Sequence, residues 1–120
     1  MKSSATILIT CLALAGLSAQ AHTVLRSSVP TDDAVEAAAP ETITLSFSTE
    51  VRLTGLSVED DTGKAIDFGS IPTTTQQEFV LQAPELPPGT YLVSWRAVGA
   101  DTHVVSGEFQ FQVAELISRE

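Results

Sequence analysis

The stretch Thr90-Tyr91-Leu92-Val93-Ser94-Trp95-Arg96-Ala97-Val98 decides the fold, because Tyr91, Val93, Trp95 and Ala97 recur at every second position. Side chains two residues apart lie on one face of a β-strand, so the segment reads as a strand with those four turned inward. Pro87-Pro88-Gly89 immediately before it marks a tight connection. The same period of two appears on either side. Thr42–Phe47 (TITLSF) places Ile43, Leu45 and Phe47 together, and Gly107–Val113 (GEFQFQV) does so with Phe109, Phe111 and Val113. Leu53–Val58 continues in this style, Asp60-Asp61-Thr62-Gly63 supplies a turn, and Glu78–Gln82 (EFVLQ) is a short strand before Pro84. Ala34–Ala39 is the single helical hint, a brief run closed by Pro40 that reads as a turn. Six or seven short strands punctuated by turns in about 100 residues describe an all-β antiparallel sandwich. A small closed barrel has nearly the same sequence pattern. Trp95 is expected in the core between the sheets.

The N-terminal segment stands apart. Lys2 precedes Ile7–Leu17 (ILITCLALAGL), an apolar run too short to span a bilayer as a helix. Ser18-Ala19-Gln20-Ala21 then offers small residues in the A-x-A arrangement of a signal-peptidase site. Residues 1–21 therefore read as a cleaved signal peptide, and His22–Glu120 as one exported, periplasmic domain. Cys11 does not read as a lipid anchor: Thr10 stands where a small residue is required, and apolar residues continue past it. Cys11 and Met1 are the only sulfur-bearing residues, and both leave with the signal, so the mature chain has no disulfide, no thiolate metal site and no soft Cu(I) ligand. The whole chain carries a net charge of −9, more negative still without Lys2. Such a surface repels nucleic acid and anionic membranes.

The chemistry rests on two histidines. Cleavage after Ala21 would give His22 a free α-amine, so that one residue offers amine and imidazole nitrogens to the same ion and closes a chelate ring. The second histidine lies in Asp101-Thr102-His103. In an extended segment, residues two apart share a face, so Asp101 and His103 can converge on that ion if the fold brings them to the N-terminus. Three nitrogens and a carboxylate oxygen make a tetragonal N/O set suited to one Cu(II). Structural zinc sites more often contain thiolates or further histidines. An α-amine titrates near 8 and an imidazole near 6.5 in model compounds, and both must be deprotonated to bind, so affinity should fall in acid.

The mature chain also resembles the CopC family of periplasmic copper-resistance proteins. The resemblance is carried by His22 with Ser27-Ser28-Val29-Pro30, by Ala38-Ala39-Pro40 followed by Ile43-Thr44-Leu45-Ser46-Phe47-Ser48, and by Pro88-Gly89-Thr90-Tyr91. The most specific piece is Trp95-Arg96-Ala97-Val98-Gly99-Ala100-Asp101-Thr102-His103-Val104-Val105-Ser106-Gly107. It implies an immunoglobulin-like Greek-key β-sandwich and a Cu(II) site built from His22, Asp101 and His103. It also implies a carrier or buffer role, often beside a CopD-like inner-membrane protein. Some relatives have a second, methionine-rich Cu(I) site, whereas this chain has Thr73–Gln77 (TTTQQ) in the corresponding region. Where many relatives place an acid after the Phe-Ser pair, Thr49 intervenes before Glu50. Glu50 and Arg96 are candidate neighbours of the metal, with a solvated strand end and an outer sheet face as their simpler readings.

Two other functions fit parts of the pattern. A copper enzyme acting with O₂ or peroxide would also use an N-terminal histidine, but it needs a broad substrate face, and few aromatic residues remain beyond the core. A metal-free interaction module would need only the sandwich. No Ser/His/Asp arrangement, phosphate loop or carboxylate dyad stands out, so hydrolase readings have no support. The chain is read as a binding protein and not an enzyme, and is expected to be a monomer.

Overall fold

The computed structural model describes residues 23–115. The expected signal peptide and His22 lie outside the described residues. Seven strands follow one another: β1 (Leu25–Val29), β2 (Ala34–Glu36), β3 (Thr42–Glu59), β4 (Ala65–Ile66), β5 (Gln76–Gln82), β6 (Gly89–Gly99) and β7 (Val104–Val113). The architecture is an all-β sandwich with a single strand running through both layers.

That strand is β3. The sequence predicts separate strands over Thr42–Phe47 and Leu53–Val58, but Ser48-Thr49-Glu50-Val51-Arg52 contains no glycine or proline to break them, and the backbone stays extended. The first half of β3 pairs antiparallel with β1 and β5, matching Leu45 to both Ser28 and Phe79. Its second half pairs antiparallel with β6 and β4, matching Leu56 to Trp95 and Val58 to Ile66. The register shifts between Leu53 and Gly55, and the inward positions change from odd (Val51, Leu53) to even (Val58) across it. An extra residue in one strand of a pair has this effect, since each residue added reverses the facing of all that follow.

β6 continues into β7 along a ladder from Gly89↔Val113 to Val98↔Val104. The turn expected over Ala34–Ala39 is corrected. Ala34–Glu36 is β2, paired parallel with Phe111–Val113, and it is the one parallel pairing described. The bonds Asp33 N–H to Gln110 O (2.7 Å) and Ala114 N–H to Glu36 O (2.8 Å) extend this ladder at both ends. So short a run has too little helical cooperativity to resist a ready-made strand edge.

The core is the set the period-two pattern picked out: Ile43, Leu45, Phe47, Tyr91, Val93, Trp95, Ala97, Phe109, Phe111 and Val113 are all buried. Phe47 of one layer meets Trp95 of the other edge-on, with ring centroids 5.1 Å apart, and meets Phe79 at 5.9 Å. Tyr91 stacks on Phe111 at 5.4 Å, and its hydroxyl donates to the carbonyl of Pro87 four residues back. This is the tyrosine-corner arrangement of Greek-key sandwiches. Trp95 is 7% exposed and lies across Gly107, where a Cβ would come within 2.7 Å of the indole. The ring therefore needs glycine opposite it.

Candidate metal centre

The chain between β6 and β7 is a tight loop, Ala100–His103, anchored at both ends by Gly99. Gly99 N–H donates to the carbonyl of His103 (3.1 Å), and Gly99 O accepts from Thr102 N–H (3.0 Å). Thr102 closes the turn with φ of 67°, a left-handed conformation uncommon for a β-branched residue. Its hydroxyl donates to the carbonyl of Asp101 at 2.6 Å. Asp101 and His103 thus converge through a turn and not along an extended strand, which corrects the geometry expected from the sequence.

The two side chains meet directly. His103 Nδ1 is 2.7 Å from Asp101 Oδ2, and Asp101 Oδ1 accepts from the backbone N–H of His103 at 3.2 Å. Both are open to solvent, His103 at 82% and Asp101 at 59%. The hydrogen bond from the His103 side chain, reinforced by the His103 backbone N–H, holds the Asp101 carboxyl below its ordinary range. A carboxylate on Nδ1–H fixes the ring and leaves the Nε2 lone pair for a metal, the usual way proteins orient imidazole ligands.

The fold also settles what lies beside this loop. Thr23, the first described residue, packs over Gly99. A Cβ built on Gly99 would fall 2.9 Å from Thr23 Oγ1 and 3.0 Å from Asp101 Oδ1, so both oxygens occupy the space left by the missing side chain. Thr23 is held there by β3. Its Oγ1 is 3.0 Å from Thr49 Oγ1, Val24 N–H donates to Ser48 Oγ at 3.0 Å, and Ser48 N–H donates to Val24 O at 2.9 Å. The N-terminal strand and the Asp101–His103 loop are therefore adjacent, although far apart in sequence. His22 itself lies outside the described residues. Among the described residues no three His, Cys, Asp or Glu side chains converge; Asp101 and His103 form a pair.

Glu50 is exposed where β3 passes from one layer to the other, one residue beyond Thr49. Arg96 is exposed on the outer face of β6, alternating with buried Trp95 and Ala97, which fits a residue covering the sheet. Thr23, Thr49 and Gly99 were not singled out by sequence. They carry no ligand chemistry of their own, and only the three-dimensional packing brings them together.

The CopC domain family model matches residues 25–114. The copper resistance protein C of Escherichia coli is 38% identical over 107 residues, covering 80% of this chain and 84% of that protein. Protein YobA of Escherichia coli K12 is 34% identical over 119 residues, covering 94% of each. Among solved structures, CopC from Methylosinus trichosporium OB3b superposes with a TM-score of 0.68 at 30% identity, covering 81% of this chain and all of that one. PcoC, a methionine-rich copper resistance protein of Escherichia coli, superposes with a TM-score of 0.63 at 37% identity, covering 78% and 99%. Here the sole methionine is Met1.

Proposed function

This chain belongs to the CopC family, and from that premise we propose that it binds copper as a carrier or buffer in copper resistance and homeostasis. The ion is a single Cu(II), held by the α-amine and imidazole of His22, by His103 and by Asp101, in a chain exported to the periplasm and matured by cleavage after Ala21. The observation that carries this reading is the position of Thr23 against Gly99 and Asp101. It puts the residue that follows His22 beside the Asp101–His103 pair. The donor chemistry agrees: nitrogen and carboxylate oxygen in a tetragonal set favour Cu(II), and a chain without thioether or thiol after Met1 and Cys11 offers Cu(I) little. Copper passes to or from a CopD-like membrane protein, and the exposure of Asp101 and His103 suits an ion that must be exchanged.

Titration of protein beginning at His22 with Cu(II) tests the reading. One equivalent bound tightly, with a nitrogen-rich tetragonal electron paramagnetic resonance signal and little Cu(I) binding, is expected. An intense thiolate-like blue colour, two equivalents of comparable affinity, or no binding would overturn it.

A further inference from the structure

We propose that Thr49 and Gly99 are positioning residues for the copper centre, Thr49 by holding the N-terminal strand and Gly99 by leaving room for it beside Asp101. The inference rests on the reading of His22 and the Asp101–His103 loop as the copper site, and adds what aligns its two halves.

The difficulty for such a site is its first residue. A chain terminus is ordinarily the least ordered part of a domain, and fixing it on an ion has an entropic cost. A terminus already fixed at the next residue reduces that cost, which is how preorganisation raises affinity. Among the described residues, the hydrogen bonds that fix Thr23 and Val24 come from one short piece of β3. Ser48 exchanges hydrogen bonds with Val24 through its backbone N–H and its hydroxyl, and Thr49 adds the hydroxyl pair at 3.0 Å with Thr23. The Ser48 N–H to Val24 O bond continues the β1–β3 ladder through backbone alone, and the Ser48 hydroxyl takes up the Val24 N–H beside it. The Thr23–Thr49 bond lies beyond the last paired residue of β1, Leu25, and ties down the side chain adjoining His22.

Gly99 supplies the other half. It anchors the Asp101–His103 loop through both of its backbone polar groups, and its missing side chain is where Thr23 Oγ1 and Asp101 Oδ1 both lie. A Cβ at 2.9 and 3.0 Å from two oxygens is closer than ordinary van der Waals contact, so a larger residue must push the Thr23 hydroxyl and the Asp101 carboxylate out of their places. Gly99 has no left-handed backbone torsion, so space and not conformation is what glycine provides here.

The test uses protein beginning at His22 in four forms: wild type, Thr49→Val, Thr49→Ser and Gly99→Ala, each also made with one extra residue before His22. Cu(II) affinity is measured by competition, and folding by thermal denaturation. Thr49→Val keeps the shape and removes the hydroxyl, and should weaken Cu(II) binding roughly 10-fold, the scale of losing a group that orients a ligand. Thr49→Ser should restore it. Gly99→Ala should weaken binding at least as much, with thermal stability changing little in both Thr49 variants. In the extended proteins, which lack the free amine, Thr49→Val should leave the residual affinity unchanged. Thr49→Val and Gly99→Ala binding Cu(II) as wild type does would overturn the positioning role. So would equal losses with and without the extension, which would make the effect a general structural one. Failure of the underlying site reads differently: wild type itself then binds no Cu(II), or binds it equally with and without the extra residue.

Discussion

Trp95 and Gly107 face each other across the β6–β7 pair so closely that a Cβ on Gly107 would stand 2.7 Å from the indole Cζ2. The same indole meets Phe47 of the opposite layer, so it is held from both sides. Gly107→Ala must displace the ring and should cost about 1–3 kcal/mol as overpacking. Trp95→Ala removes the ring and should cost roughly 3–5 kcal/mol through the cavity it leaves. Chemical denaturation of the two variants checks both values. A Gly107→Ala protein as stable as wild type would show that the indole has room to move.

Replacing His103 should weaken Cu(II) binding more than replacing Asp101, because imidazole is the better match to Cu(II) and water can partly replace a carboxylate oxygen. The pH dependence separates the two roles. The hydrogen bond from His103 holds the Asp101 carboxyl below its ordinary value, so it is ionised throughout the neutral range and its titration does not govern release there. Copper lost on acidification is lost to protons at the nitrogen donors. Asp101→Asn should therefore lower affinity by the same factor at every pH and leave the slope of log affinity against pH unchanged, as read by competition titrations across pH. A slope that differs from wild type in the neutral range would contradict this assignment.

Blocking the amine should be far more damaging than any of these changes. In a protein with one extra residue before His22, that nitrogen is an amide inside a peptide bond, and a strong donor and its chelate ring vanish together. Folding should be unaffected, since the described strand order begins after Thr23. Cu(II) affinity should fall by several orders of magnitude, beyond the roughly 10–100-fold of losing an orienting group. Equal affinity in cleaved and extended proteins would remove the α-amine from the ligand set.

The turn after β3 offers a test of stability unconnected with copper. Asp60 Oδ1 accepts from the Thr62 hydroxyl at 2.6 Å and from the backbone N–H groups of Thr62 and Lys64, each at 2.9 Å. These bonds, the Thr62 hydroxyl foremost, favour the ionised form and lower its pKa. A lowered folded-state pKa means stability that is present above the unfolded value, about 3.9 for Asp, and is lost as the pH falls through the folded value. Asp60→Ala should therefore lower the melting temperature at neutral pH, and the difference from wild type should shrink below pH of about 3.9. A constant difference across that range would show that the charge is not what the turn uses.

The alternation of Ile43, Leu45 and Phe47, and of Tyr91, Val93, Trp95 and Ala97, was legible because period-two burial is written residue by residue. The join between the two predicted halves of β3 was not, since a run such as Ser48-Thr49-Glu50 reads as a surface loop unless its partners are known. Nor was β2, whose three residues are a strand only because β7 lies alongside them. The site divides in the same way. Asp101 and His103 were visible as a short motif of metal-binding residue types, and the structure brings them within 2.7 Å. Their turn geometry was hidden, because Thr102 is not a residue that announces a left-handed torsion. Thr23 and Thr49 are 26 positions apart and chemically plain, so nothing short of the fold reveals that they touch.

The unbroken course of β3 through both layers has a consequence for how the domain comes apart. In a sandwich of two independent sheets, one sheet can peel from the other while keeping its own hydrogen bonds. Here β1 and β5 on one side and β4 and β6 on the other are bonded to the same eighteen-residue strand. Neither layer can slide or detach without bending or tearing the strand they share. The N-terminal strand and the β6–β7 loop are thus two arms fastened to one spine, and their spacing is set by covalent chain and not by packing alone. Amide exchange along β3 should accordingly be the slowest in the molecule and nearly uniform across both halves, the signature of opening only by global unfolding.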